Sequence, residues 1–199
     1  AGRYGADMGD VQTLDTQLNV FADFHPVVPP SLAASDYLFL ANIDPELQLE
    51  VMAQVQRPKL VTLDSMNYWI TSKRAALTRA LQAVDVALLN ESEVSLFTGE
   101  CNLADGARQL LDLGLRALVV KRGRHGATLL ARGPSGALTH FFVPAYPVEQ
   151  VVDTTGAGDT FAAGFIAALL EGRPFRDCGR YANAAASLCI EHVGANGGQ

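Results

Sequence analysis

The sequence predicts a three-layer α/β/α fold with a mostly parallel sheet that ends in antiparallel strands. Short apolar runs alternate with segments of helical period through most of the chain, which is typical of parallel strands joined by helices on both faces. After Gly123 this rhythm changes, because two strand-like runs are separated only by the turn-rich Arg132–Gly136. A chain of 199 residues is long enough for one sizeable core of this kind.

The elements can be taken in order. Leu14–Phe24 alternates apolar and polar residues, which predicts a half-buried strand that the following prolines stop. The short apolar runs then predict six strands, at Tyr37–Ala41, Lys59–Leu63, Val86–Leu89, Ala117–Lys121, Ala127–Ala131 and Leu138–Val143. Helices are predicted from Asp44, as N-cap, to about Gln56, and over Ser72–Ala83, Glu91–Thr98, Leu103–Leu113, Asp159–Leu170 and Phe175–Val193.

Composition excludes some classes of function. The net charge of −6 argues mildly against nucleic acid or an anionic membrane surface as the main partner. No apolar run approaches the ~20 residues of a membrane span and no signal peptide is visible, so we expect a cytoplasmic protein. The three cysteines and four histidines show no metal-ligand spacing, and no zinc site is predicted. The opening AGRYGADMGD has no initiator Met, which suggests a piece of a longer natural chain.

The segment Val151–Leu170 concentrates the chemistry. Gly156 and Gly158 precede an apolar helix, where backbone N–H groups and the helix dipole favour an anion. Asp159 lies in the same first turn and suggests chemistry on a substrate beside that anion. A P-loop is excluded because no Gly-Lys dipeptide occurs, and a dinucleotide fingerprint is excluded because Phe161 stands where the third glycine is needed.

Asp153-Thr154-Thr155-Gly156-Ala157-Gly158-Asp159 resembles the C-terminal signature of the ribokinase-like, or PfkB, family of carbohydrate kinases. The resemblance implies an ATP-dependent and Mg²⁺-dependent kinase. Gly156, Ala157 and Gly158 would supply the anion hole for the transferred phosphoryl group, and Asp159 would accept the proton of the acceptor hydroxyl. The alternative is an ordinary glycine turn with an acidic helix cap.

Other segments resemble further parts of the same family. Asn90 and Glu93 match its N-x-x-E motif, which helps to organise Mg²⁺ and phosphate largely through water; the alternative is a capping box. Lys121 and Gly123 would lie near the phosphates or ribose of the nucleotide. Asn183, in an alanine-rich helix, would contact the nucleotide near adenine.

Many members of the family bind a monovalent cation such as K⁺ beside the anion hole. By position, Asp153 and Thr155 would belong to that site, together with backbone of residues 194–197. The alternative is that Asp153 only caps the turn.

The resemblance covers only the later part of the family's fold. It implies that residues 1–30 are the remnant of lid strands, through which a homodimer could form, and that residues 31–199 are the nucleotide-binding and catalytic domain. Asp64 and Asn67 follow a predicted strand, where ligands bind in open α/β sheets, and are candidates for the sugar or nucleoside substrate. This stretch partly resembles the family's D-x-N-x-R segment, but it has an extra residue and lacks the arginine, which puts readout of a sugar carboxylate in doubt.

Two other functions stay open at this point. The first is a non-catalytic nucleotide-binding module, such as a truncated or regulatory relative of the family, which would bind nucleotide without phosphorylating an acceptor. The second is an unrelated anion-binding α/β domain, which would bind phosphate without preference for adenine.

Overall fold

A computed structural model of the chain describes residues 2–4, 11–13, 17–21, 23–133 and 135–194. The chain divides into two compact units, residues 1–118 and 119–199, and the division falls inside strand β6 (Ala117–Lys121). No helix in the described part of the chain has the length and apolar character needed to cross a membrane. The predicted boundary of the lid at residue 30 stays a prediction.

Six strands form one sheet in sequential order. These strands are β3 (Tyr37–Leu40), β4 (Leu60–Asp64), β5 (Val86–Asn90), β6, β7 (Ala127–Arg132) and β8 (Leu138–Val143), while β1 (Gly2–Tyr4) and β2 (Val11–Thr13) form a separate antiparallel pair. The pairs β3–β4 and β4–β5 are parallel, and β7–β8 is antiparallel. The predicted α/β fold, with a mixed sheet that finishes in an antiparallel hairpin, is confirmed.

Seven α-helices are described: α1 (Pro45–Gln54), α2 (Asn67–Ser72), α3 (Arg74–Gln82), α4 (Glu91–Thr98), α5 (Leu103–Asp112), α6 (Ala157–Leu170) and α7 (Phe175–Ile190). The first begins as predicted, because the Asp44 carboxylate accepts a hydrogen bond from the N–H of Glu46 at 2.9 Å and Pro45 occupies the first helical position. It ends two residues earlier than predicted, since Val55 is extended and Arg57 has a φ of 48°.

The first unit buries an aliphatic core in which Leu63, Leu77, Leu81 and Leu88 are at most 1% exposed. The single helix predicted over Ser72–Ala83 is instead two helices that meet at Lys73, whose backbone is not helical (φ −132°, ψ 38°). The Lys73 ammonium binds the carboxylates of Asp44 and Glu46, the former at 2.6 Å. Both ion pairs raise the pKa of Lys73. This cross-link to the start of α1 accompanies the break, and the helical period alone gave no sign of it.

The strand predicted over Leu14–Phe24 is wrong for its described residues. Asn19–Phe21 forms a 3-10 turn, in which Asn19 has a φ of 47° and the N–H of Phe21 donates to the carbonyl of Leu18 at 2.9 Å. The rings of Phe21 and Phe24 meet edge to face, with their centroids 5.9 Å apart. An asparagine that accepts a left-handed backbone thus ends extended structure where the alternation predicted more of it. Residues 14–16 and 22 lie outside the described residues.

In the second unit, α6 and α7 pack closely through small residues. A Cβ added at Gly164 of α6 would lie 3.0 Å from Cβ of Ala185 and 3.3 Å from Cα of Ala182, both on α7. Phe165, fully buried, meets Phe175 edge to face at 5.5 Å. This close approach fixes the two helices that carry the candidate site.

Candidate functional site

The glycine turn, residues 153–159, lies entirely in the second unit and ends in the first turn of α6. Gly156 is the N-cap of α6 and has a φ of 79°, a left-handed conformation that favours glycine. No side chain caps the helix, and the first N–H groups of a helix have no acceptor within it. The N–H of Ala157 donates to the carbonyl of Thr154 at 3.2 Å, whereas the N–H groups of Gly158 and Asp159 lie at the positive end of the helix dipole with no described acceptor.

The side chain of Lys121, at the end of β6, reaches this helix start. A Cβ added at Gly158 would lie 3.6 Å from its Nζ atom, so the ammonium stands directly over the backbone of the turn. Asp159 is the acid of the first turn of α6 and its side chain is exposed. Amides, an ammonium and an accessible carboxylate are thus gathered at one helix N-terminus, within a single unit.

Asp153 lies at the beginning of the turn, and its carboxylate accepts two backbone hydrogen bonds. Its Oδ1 accepts from the N–H of Thr155 and its Oδ2 from the N–H of Gly194, both at 2.9 Å. The hydrogen bonds from the backbone of Thr155 and of Gly194, followed by the Thr155 hydroxyl, lower the pKa of Asp153 below its ordinary value. The observed role is that of a clamp on the turn, and the assignment of Asp153 and Thr155 to a cation stays a prediction. Among the described residues, no group of three or more His, Cys, Asp and Glu side chains could hold a metal ion.

The loop that joins β8 to the turn is bound along one side of α7. Asn183 Nδ2 donates to the carbonyls of Val143 at 3.1 Å and Pro144 at 2.8 Å. Further along α7, Ser187 Oγ donates to the carbonyl of Tyr146 at 3.2 Å, and the carbonyl of Ile190 accepts the N–H groups of Val152 and Asp153. Asn183 and Ile190 are seven residues apart, or about 10 Å of helix. The loop therefore runs along α7 for about 10 Å, from Asn183 to the glycine turn.

A cavity of about 350 Å³ opens beside Asn183. Its apolar wall comes from residues 142–147, which include Phe142 and Tyr146, and its helical wall comes from Arg176, Arg180 and Asn183. A volume of this size lies within the range of small-molecule sites. The structure thus places the predicted nucleotide residue Asn183 at a cavity, although its amide hydrogens bind the protein backbone.

Gly123 and Gly126 shape the turn after β6. Gly123, with a φ of 52°, begins an exposed 3-10 turn, as suits a segment beside a ligand. Gly126 ends the segment Val120–Gly126 that resembles the family and was given no role of its own, yet its φ is 95° and an added Cβ would lie 2.1 Å from the carbonyl oxygen of Val143. The spacing Gly-x-x-Gly between two strands was the available signal for a turn that tolerates no side chain.

In the first unit, Asn90 and Glu93 form a complete capping box at the start of α4. Asn90 Oδ1 accepts from the N–H of Glu93 at 2.7 Å, and Glu93 Oε2 accepts from the N–H of Asn90 at 2.7 Å. Glu93 is only 5% exposed. The capping alternative is therefore realised, and a role of these two residues toward Mg²⁺ and phosphate stays a prediction.

Asp64 and Asn67 lie at the carboxyl end of β4. Asp64 is 3% exposed and its Oδ1 accepts from the N–H of Ser65 at 2.8 Å, while Asn67 begins α2. Gln48, which sequence reasoning missed, is 1% exposed, and its Nε2 donates to the carbonyls of Ala41 at 2.9 Å and Asp64 at 3.0 Å. This buried amide ties the ends of β3 and β4 together. A polar residue in a predicted helix gave no warning of that contact.

Fold and site together define an α/β protein with a glycine turn at the N-terminus of a helix. The model of the pfkB family of carbohydrate kinases matches residues 16–199. The chain belongs to this family, and its fold is ribokinase-like.

The chain is similar to proteins with different acceptors. It is 31% identical to a cytidine kinase of Thermococcus kodakarensis over 77% of this chain and 54% of that protein, and 27% identical to a 2-dehydro-3-deoxygluconokinase of Dickeya dadantii over 98% of this chain and 62% of that protein. The structure of Arabidopsis thaliana ribokinase complexed with ribose and ATP matches with a TM-score of 0.69 and 32% identity, over 80% of this chain and 51% of that one. The chain thus spans between half and two thirds of the length of these proteins.

Proposed function

We propose that the natural protein is an ATP-dependent kinase that phosphorylates a hydroxyl group of a sugar or nucleoside. The observation that carries the proposal is the ammonium of Lys121 over Gly158, at a helix N-terminus that also holds Asp159. A phosphate group needs such a combination of N–H donors and positive charge, and the acceptor hydroxyl needs a base beside it.

The residues present fit a nucleotide. The open backbone at Gly158 leaves room for a phosphate beside Lys121, because a larger side chain there would meet the ammonium. The cavity beside Asn183 is large enough for a nucleotide base. It lies about 10 Å along α7 from the glycine turn. We therefore place the base in this cavity and the γ-phosphate at the glycine turn.

In the proposed reaction the N–H groups of the turn and Lys121 stabilise the charge on the transferred phosphoryl group. Asp159 orients the acceptor hydroxyl and takes its proton. Phosphoryl transfer passes through a loose transition state, in which positioning and charge stabilisation dominate. When bound, Mg²⁺ would neutralise charge on the β- and γ-phosphates, and the oxygen donors of Asn90 and Glu93 are those we propose to organise it through water. We further propose K⁺ beside Asp153 and Thr155, where the Thr154 hydroxyl is buried without a hydrogen-bond partner among the described residues.

The acceptor would bind at Asp64 and Asn67, at the carboxyl end of β4. The relatives act on ribose-type sugars, on cytidine and on a sugar acid, as their names state. The stretch after β4 lacks the arginine expected for a sugar carboxylate, so we propose a neutral sugar or a nucleoside. A cytoplasmic location fits such a substrate.

The test is to incubate the natural full-length protein with ATP and Mg²⁺ and a panel of sugars, nucleosides and sugar acids, and to follow ADP release. We expect ADP release with at least one neutral acceptor. Nucleotide binding without turnover on any acceptor would instead support a non-catalytic relative. Binding of inorganic phosphate with no binding of nucleotide would point to a simple anion-binding domain.

A further inference from the structure

The helical wall of the cavity beside Asn183 is rich in hydrogen-bond donors. Arg176, Arg180 and Asn183 recur on α7 at spacings of four and three residues and so share one face of the helix. The remaining lining residues are apolar or aromatic, and none of the cavity's lining residues carries a carboxylate. A ligand here meets positive charge on one side and ring faces on the other.

Asn183 itself cannot read a ligand through its N–H groups. A side-chain amide has two N–H donors, and those of Asn183 lie 3.1 Å and 2.8 Å from the carbonyls of Val143 and Pro144. The residue is also only 7% exposed. Donation to a bound base therefore falls to the two arginines.

The two arginines carry more N–H donors than their described contacts use. Arg180 uses Nη1 in a contact of 3.0 Å with Asp177, an exposed pair that contributes little to stability. A guanidinium carries five N–H groups in a planar fork, and both arginine side chains are exposed. The fork remains able to present two parallel donors to a ligand that enters the cavity.

Such a fork distinguishes the purines. Guanine presents two acceptors, O6 and N7, side by side, and arginine pairs with both at once. Adenine presents the N7 acceptor beside the N6 amino donor, and a second arginine N–H would face that donor without a partner. The faces of Tyr146 and the neighbouring prolines suit either ring, so stacking does not choose between them.

We propose that this cavity favours 6-oxopurine nucleotides through Arg176 and Arg180, so that GTP serves as phosphoryl donor at least as well as ATP. The inference rests on the proposed function, because that proposal places the base of the nucleotide in this cavity. It goes further by assigning the choice of donor nucleotide to two arginines that face the cavity from α7.

The experiment measures the affinities of ADP and GDP, each with Mg²⁺, for the natural full-length protein by calorimetry. We expect GDP to bind at least as tightly as ADP. Because guanine has one O6/N7 edge, it takes one bidentate contact, and whichever of Arg176→Ala and Arg180→Ala removes that contact should lower the ratio of GDP to ADP affinity about tenfold. Arg108→Ala is the matched control, since Arg108 also pairs with an aspartate three residues earlier, on a different helix, and should leave the ratio unchanged.

The outcomes separate the two proposals. ADP binding with GDP at least tenfold weaker, or an unchanged ratio in both arginine variants, overturns the inference and leaves the kinase proposal standing. The expected ratios with no acceptor phosphorylated from either triphosphate would overturn the kinase proposal and the role of GTP as donor, and would support only the preference of the cavity for 6-oxopurines. Absence of binding by both nucleotides overturns both.

Discussion

The N-termini of α4 and α6 both follow a candidate phosphate motif and both carry acids in the first turn, yet they are built in opposite ways. In α4 the Asn90 and Glu93 side chains close the helix start on itself through two hydrogen bonds of 2.7 Å. In α6 the cap is Gly156, which has no side chain to offer, and the ammonium of Lys121 lies near Gly158, two residues further on.

This difference leaves the start of α6 more open to a ligand than the start of α4. A capping box satisfies N–H donors within the chain and stabilises the helix whether or not a ligand binds. A glycine cap leaves donors unmatched, which costs stability unless water or an anion pairs with them. We therefore expect substitutions at the open start of α6 to affect function strongly and stability weakly. Substitutions at the closed start of α4 should do the reverse.

The largest effect is expected at Asp159. Asp159→Asn should lower phosphoryl transfer by the full-length protein by about 10² to 10⁴-fold, the usual contribution of a positioned base. The exposed side chain makes no described contact that stabilises the fold, so the thermal unfolding midpoint should stay nearly constant. ADP release with an accepted substrate gives the rate.

Asp105→Asn is its control, because Asp105 is also an exposed acid in the first turn of a helix. That variant should turn over normally. Normal turnover by Asp159→Asn would remove Asp159 from the mechanism.

The next effect is expected at Gly158. Gly158→Val would place carbon atoms between the turn and the Lys121 ammonium, since even a Cβ lies 3.6 Å from Nζ. We expect ATP affinity to fall about tenfold or more, as on loss of one hydrogen bond to a charged group. Calorimetric titration with ATP and Mg²⁺ measures the loss.

Gly133→Val serves as the comparison, because Gly133 also has ordinary space around an added Cβ but lies outside the turn. Its affinity for ATP should match that of the unmodified protein. If Gly158→Val bound ATP equally well, the phosphate would not lie at this turn.

A smaller effect is expected at Asn90. Asn90→Ala should destabilise the fold by about 1 kcal/mol, the usual cost of losing an N-cap side chain. Asn102 caps α5 through a hydrogen bond of 2.8 Å to the N–H of Ala104 and belongs to no phosphate motif, so Asn102→Ala measures the cost of a cap alone. Urea unfolding of both variants gives the two free energies.

Turnover then decides whether Asn90 has a second role. If it only caps, both variants retain the catalytic rate of the unmodified protein. If it also organises Mg²⁺ and phosphate, as we propose, Asn90→Ala alone raises the Mg²⁺ concentration needed for half-maximal activity. Equal Mg²⁺ dependence in the two variants would contradict that second role.

Local signals predicted much of the fold because they depend on neighbouring residues only. The start of α1 follows from Asp44 and Pro45, and the final hairpin follows from the turn-rich Arg132–Gly136, both of which the structure confirms. Leu14–Phe24 failed because alternation measures only which residues could face one side of a strand. The alternation carries no information on the backbone of Asn19, which is left-handed with a φ of 47°.

The candidate site, like the fold, could be predicted from the sequence only in part. The glycine turn was visible because its residues are consecutive, but the contact of Lys121 with Gly158 joins residues 37 positions apart and depends on where β6 ends. Sequence reasoning named Asn183 for the nucleotide, but the hydrogen bonds of its amide, like those of Gln48, could not be predicted for a similar reason. Their amides bind carbonyl groups of distant strands, and a backbone carbonyl has no residue type by which to recognise it.

The smallest effect is expected at Asp153, whose carboxylate is accessible to water and whose contribution solvent therefore screens. Its pKa is lowered in the folded protein, first by the N–H of Thr155 and then by that of Gly194, so the unfolded chain binds the proton more readily. The stabilisation is therefore complete well above the ordinary pKa of 3.8 and is lost as the pH falls through the lower pKa of the folded protein.

Asp153→Asn should be less stable than the unmodified protein at neutral pH, and this difference should shrink below pH 3.8. Urea midpoints over a pH series test the trend. Glu149→Gln, an exposed change in the same loop, gives the baseline, and a difference for Asp153→Asn that grows on acidification would contradict the clamp.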